Sequence, residues 1–226
     1  MTQKVTTIKD FFQILNTEIE YLVLRNWDDI LNINIYGEGH EDIDILCRDL
    51  KLFLAITKAE RVHNSNKRDN FIVRVANKTI RFDVRSVGDD YYPSIWEDLM
   101  LKRRVLNKQE IYTLCSEDYF YSLLYHAILQ KPYISSEYIN KLNVAASKVP
   151  LNVYGRTLYP SVSIKSLKEY LESNNFNILL PRDPGVYVNW RNMRKVNCHF
   201  KLSLVFNYYI LRVLQRIGIP FRNLML

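Results

Sequence analysis

Two aspartates one residue apart, Asp42 and Asp44, sit in the run Glu41-Asp42-Ile43-Asp44-Ile45-Leu46, and a third, Asp83, stands between Phe82 and Val84. Acidic and apolar residues that alternate have the period of a β-strand, so the aspartate pair leaves one face while Ile43 and Ile45 enter a core. Carboxylates one pleat apart repel each other, and a third nearby adds to the repulsion, so something cationic is needed between them. Oxygen donors on a rigid strand suit Mg²⁺ or Mn²⁺, which take one or two carboxylates and complete their shell with water and substrate phosphates. Paired ions of this kind stabilise the attacking and leaving oxygens of a phosphoryl displacement. The other reading of an Asp-x-Asp strand is solvated surface. The β-forming neighbours, the third aspartate and the glycine-bearing loop Tyr36-Gly37-Glu38-Gly39-His40 that runs into the pair weigh toward the metal.

Further side chains could serve such a site. Arg81 and Arg85 share the face of Asp83 by period two, as a salt-bridged surface or as the floor of an active site. His126 lies in an aromatic-rich helical run, Tyr119–Lys131, where it is either a core histidine with one hydrogen bond or a phosphate or catalytic group. Lys131 and the run Lys102-Arg103-Arg104 could clamp a triphosphate, and the alternative for the latter is a solvated helix end that complements the dipole. His40 and Glu41 read as part of a turn.

The elements that must position these groups follow from periodicity. Residues 6–17, with Ile8, Phe11, Phe12 and Leu15 at helical spacing after threonines, predict a capped amphipathic helix. Strands are predicted at 21–24, 42–47, 71–76 and 79–84, the last two as a hairpin, with a helix over 48–59 between. Helices follow at 95–104, 116–130, 135–147 and 163–173, then a connection over 174–193 and a last helix at 197–217. The expected fold class is α+β, with a small mixed sheet in residues 1–90 and a helical module in residues 91–226.

The strand Tyr21-Leu22-Val23-Leu24-Arg25-Asn26, the glycine loop, the Asp42/Asp44 strand and the Asp83 strand together resemble the polymerase-beta-type nucleotidyltransferase fold over about residues 6–90. Within that superfamily the chain looks most like nucleotidyltransferase-like proteins associated with polysaccharide or antibiotic modification. The resemblance implies a Mg²⁺- or Mn²⁺-dependent enzyme that transfers a nucleotidyl or phosphoryl group from a nucleoside triphosphate such as ATP to a small-molecule or sugar-type acceptor. Asp42 and Asp44 would hold the two ions, and Asp83 would bind the catalytic metal and could act as base. The family usually places Gly-Ser directly after the first strand, to grip phosphates. Here Arg25-Asn26-Trp27 stands there, and Arg25 could supply charge where backbone amides would. Gly37 and Gly39 are a partial substitute. The departure also admits a nucleotidyltransferase-like protein that binds a nucleotide or a partner without transfer.

Charge is distributed unevenly along the 226 residues. The chain carries 31 Lys+Arg against 24 Asp+Glu, a formal +7, yet residues 184–226 hold seven bases and no acid, which leaves the preceding 183 residues neutral. With 48% hydrophobic residues the composition excludes a disordered chain, a collagen and a disulfide scaffold. The N-terminus lacks the apolar core of a signal peptide, and Cys47, Cys115 and Cys198 show no metal-ligand spacing, so a reducing, cytoplasmic setting is expected. The basic residues of the tail form no dense patch and no nucleic-acid signature, so nucleic acid is not the expected partner. A basic amphipathic helix over 197–217 packs on the protein or rests on an anionic membrane surface, where it would hold a transferase that acts on glycan- or lipid-linked substrates.

Overall fold

The computed structural model of the chain describes residues 7–27, 30–31, 42–62, 70–75, 78–149, 160–183 and 185–197, together with 206, 208–210 and 213–214. It is a mixed α+β structure. The chain divides into two compact units, Met1–Asp89 with Ser94–Cys115, and Asp90–Pro93 with Ser116–Leu226.

The first unit opens with α1 (Ile8–Glu18), where Thr7 and Asp10 form the reciprocal cap: the Asp10 amide donates to Thr7 Oγ1 and the Thr7 amide to Asp10 Oδ2. There follow β1 (Tyr21–Val23), β2 (Ile43–Cys47), α2 (Leu50–Thr57, capped by Asp49), β3 (Glu60–Arg61), β4 (Asn70–Val75), β5 (Lys78–Ser86), α3 (Ser94–Lys102), β6 (Val105–Leu106) and β7 (Tyr112–Thr113). The strands form one seven-stranded sheet in the order β3-β4-β5-β2-β1-β7-β6. The β2–β5 and β1–β7 pairs are parallel and the others antiparallel. Residues 94–115, read from the sequence as part of the helical module, thus contribute a helix and an edge hairpin to this unit. The two-residue strands β3, β6 and β7 are too short to show any alternation, which is why periodicity does not reveal them.

Alternation along the strands sorts the sheet into two faces. Ile43 and Ile45 of β2, Phe82 and Val84 of β5, and Phe71 and Val73 of β4 are all at most 3% exposed. They share one core with α1 and α2, where Phe82 meets the rings of Phe11 at 5.2 Å and Phe53 at 6.4 Å. The opposite face carries Leu22, Leu24 and Leu46, which are buried, and α3 packs against β2. The aspartates of β2 and β5 share this second face. The turn after β5 is pinned by Glu97, fully buried, which accepts from the Gly88 amide at 2.7 Å. Gly88 adopts φ +87°, a conformation open to glycine.

The second unit is helical: α4 (Ser116–Leu129), α5 (Ser136–Ala146), α6 (Pro160–Ser173) and α7 (Trp190–Val196). α4 is its centre, buried over most of its length and packed by the other three. Its last carbonyls are satisfied from the start of α7: the Asn189 amide donates to Leu129 O, and Asn192 Nδ2 to Ile128 O. α7 lies where a connection was expected as far as residue 193. Asn189 caps it, and extended backbone at Asn197 ends it, so it is separate from any helix that follows. Of the expected helix 197–217, the described residues 206, 208–210 and 213–214 are helical. Among the described residues no helix is long and apolar enough to cross a membrane.

Candidate active site

β2 and β5 run parallel in a register that makes Asp44 and Asp83 direct lateral partners on the same face of the sheet. Adjacent strands lie about 4.8 Å apart, so the two carboxylates are neighbours. Asp42 lies one residue before β2, partly exposed, at the entry to the strand. The charge that offsets the two strand carboxylates is supplied by guanidinium groups. β1 ends at Val23, and the Leu24 amide still donates to Asp44 O at 2.9 Å. Asn26 then turns the chain with φ 58°. Between them Arg25 reaches Asp44 with two hydrogen bonds, Nε to Oδ2 at 3.1 Å and Nη2 to Oδ1 at 2.7 Å. On β5, Arg85 Nη2 lies 3.0 Å from Asp83 Oδ1 and 3.2 Å from Oδ2. Asp83 and Arg85 are each 3% exposed and Arg25 9%.

The cations seen beside the two strand carboxylates are arginines. At about 5 Å and an effective dielectric near 20, two carboxylates repel by about 3 kcal/mol. The bidentate Arg25–Asp44 pair is the strong form of ion pair and can offset a term of that size. As a metal site, the donors fit in kind, because hard carboxylate oxygens are what Mg²⁺ and Mn²⁺ take. In arrangement, both oxygens of Asp44 accept from Arg25, and Asp83 Oδ2 accepts from Arg85 Nη2. Among the described residues no group of three or more His, Cys, Asp or Glu side chains is placed to hold a metal ion.

The remaining candidates take varied positions. Arg81, on the same face as Asp83 by alternation, is exposed. Gly37 and Gly39, with His40 and Glu41, lie outside the described residues. His126, in the second unit, is 7% exposed, and its Nδ1 lies 2.8 Å from Gln130 Oε1 and 3.0 Å from Tyr91 Oη. Gln130 Nε2 donates to the Tyr91 carbonyl at 2.8 Å, so its Oε1 faces the ring and accepts, which puts a proton on Nδ1. This network ties residues 90–93 to α4 and is the core-histidine arrangement. Lys131 is half-buried, with Nζ 5.9 Å from the centre of the Tyr138 ring. Lys102 pairs with Asp98, and Arg104 donates to the Leu101 carbonyl while lying over Tyr112, so both serve the end of α3.

One residue of the site strand is a buried thiol. Cys47, fully buried at the end of β2, has its thiol pushed up to about 12 by burial, with Asp89 and Asp49 adding to the shift. The carboxyl of Asp98 on α3 is held below its usual range by hydrogen bonds from Lys102 and then Arg48. The sequence had offered Arg25 as a phosphate ligand. Its pairing with Asp44 depends on β1 lying antiparallel beside β2, which no local pattern announces. Compared with known proteins, the sequence matches no family model and no curated protein.

Proposed function

We propose that the first unit is a nucleotidyltransferase-type catalytic domain that uses Mg²⁺ or Mn²⁺ and a nucleoside triphosphate to modify a small-molecule or sugar-type acceptor. The observation that carries this reading is the lateral register of Asp44 and Asp83 on adjacent parallel strands, with Asp42 at the strand entry. Asp42, Asp44 and Asp83 are the residues that would hold the ions, whose chemistry is to neutralise triphosphate oxygens. Asp83 is the proposed base toward the acceptor hydroxyl. Arg25 and Arg85 would then have two roles: they offset the charge of Asp44 and Asp83, and their guanidinium groups would be donors suited to phosphate if the carboxylates held a divalent ion. The test is Mn²⁺ binding followed by paramagnetic resonance, beside release of pyrophosphate from each triphosphate with a panel of sugars and sugar phosphates. Asp44→Asn and Asp83→Asn should lose both signals while keeping a native circular dichroism spectrum. Absence of Mn²⁺ and triphosphate binding in the wild-type chain would remove the reading.

The same ion pairs favour a second reading, a nucleotidyltransferase-like protein without transfer, because both strand carboxylates are already neutralised. Nucleotide binding with no pyrophosphate release would select it. A contact with an anionic membrane surface rests on a separate observation. Tyr208 is buried and donates to Val186 O, while Phe206, Tyr209, Ile210 and Val213, at helical spacing, are 41–67% exposed in a segment rich in bases. Phe206→Asp with Val213→Asp should abolish sedimentation with anionic vesicles; unchanged sedimentation would remove the contact.

A further inference from the structure

We propose that the second unit carries a binding pocket for a small amphipathic anion, a molecule with an apolar body and a phosphate or carboxylate head. The pocket, about 600 Å³, lies among α4, α5, α6 and α7. That volume falls inside the range of roughly 300–1,000 Å³ typical of small-molecule sites. Its floor is apolar: Ile128 of α4 is 1% exposed and Leu142 of α5 is 2% exposed, and Ile164 of α6 joins them. Its rim is apolar too, since Tyr133, Ile139 and Tyr187 line it and are 75%, 41% and 38% exposed. Large side chains left wet around a dry floor mark a surface that gains by being covered.

The polar part of the pocket is one-sided. Among the described residues no Asp or Glu lines it, whereas Arg191 and Lys195 of α7 both do. Four residues apart on one helix, they lie on the same side, about 5–6 Å apart at Cβ, close enough for one anion to meet both. Neither forms an ion pair with a described residue. The two asparagines that also line the pocket are committed elsewhere. Asn189 donates to Lys131 O and accepts from the Asn192 amide, and Asn192 donates to Ile128 O. A cationic ligand would meet two positive charges, whereas an anionic head would meet two charged donors. An apolar body ending in one anion matches both the walls and the mouth. The inference is independent of the aspartate site, since the described residues that line the pocket all belong to the second unit.

Calorimetric titration of the full chain with decyl phosphate, decanoate, decanol and inorganic phosphate, each below its aggregation threshold, tests it. Decyl phosphate should bind saturably at one per chain, at least tenfold more tightly than decanol, and inorganic phosphate should not bind measurably. Binding of decyl phosphate without decanoate supports the proposal and narrows the head to phosphate. Arg191→Gln and Lys195→Gln should each weaken decyl phosphate about tenfold, the loss of one charge-assisted hydrogen bond, and leave decanol unchanged. Ile139→Glu, at an exposed position where folding tolerates charge, should abolish anion binding at an unchanged melting temperature. Equal affinity for decanol, full affinity in the Arg191→Gln/Lys195→Gln double variant, or no saturable binding would each overturn the proposal.

Discussion

Replacing Arg25 by methionine keeps the aliphatic stem of the side chain and deletes its guanidinium. In the structure that removes both hydrogen bonds to Asp44 and leaves a carboxylate that is 15% exposed beside Asp83, its register partner. Breaking a buried ion pair from one side costs about 3–5 kcal/mol, and the partial exposure of Asp44 points to the lower end. The Asp44–Asp83 repulsion, about 3 kcal/mol at 5 Å and a dielectric near 20, gives a similar figure by a second route. The two estimates describe one uncompensated charge and are not added. Arg25→Met should therefore destabilise the first unit by about 3 kcal/mol at pH 7, and Arg25→Met with Asp44→Asn should come back to within about 1 kcal/mol of wild type. Urea unfolding read by tryptophan fluorescence measures this, with Trp190→Phe as background so that Trp27 and Trp96, both in the first unit, report. The slope should stay constant while the midpoint moves. An Arg25→Met midpoint equal to that of wild type, or a double variant as unstable as the single one, would refute the argument that arginine is the cation the carboxylates require.

Two pH effects of opposite direction follow from single groups. With its folded value raised to about 12, Cys47 adds stability that is complete below the unfolded thiol value near 8.5 and is lost as pH rises toward 12. In a Cys115→Ser/Cys198→Ser variant, Ellman's reagent at pH 8 should find no reactive thiol until denaturant is added; rapid native labelling would contradict the burial. Asp98 has its value lowered, so its contribution is present above about 3.9 and is lost as pH falls through the folded value. Because the pair is solvated, Asp98→Asn should cost no more than about 1 kcal/mol at pH 7, with the deficit shrinking in acid; a deficit that grows in acid would contradict the sign.

How much of this was legible in the sequence depends on the range of the interaction involved. The cap of α1 was readable because Thr7 and Asp10 are three residues apart. The shared face of Asp83 and Arg85 was readable because they are two apart on β5, and the structure turns that adjacency into an ion pair. The lateral meeting of Asp44 with Asp83 needed a register between strands 39 residues apart, and the meeting of Arg25 with Asp44 needed the antiparallel placement of β1. The pocket of the second unit draws on four helices and on the connections between them, so no segment of sequence carries its signature.

The position of Arg25 beside Asp44 changes what an alanine substitution there would do. With the aspartates alone in view, substituting alanine for Asp42 and Asp44 would remove repulsion and leave the fold at least as stable. With the bidentate pair in place, the Asp44 substitution instead leaves the Arg25 guanidinium, 9% exposed, without the carboxylate that holds two of its nitrogens. Taking the bidentate carboxylate from a buried guanidinium costs more than the repulsion it relieves. Loss of activity in an Asp44→Ala variant would then report instability as readily as chemistry, whereas Asp44→Asn keeps one acceptor oxygen for Arg25 and removes only the charge that a divalent ion needs. The asparagine variant is for that reason the one that separates a metal ligand from the anchor of an arginine.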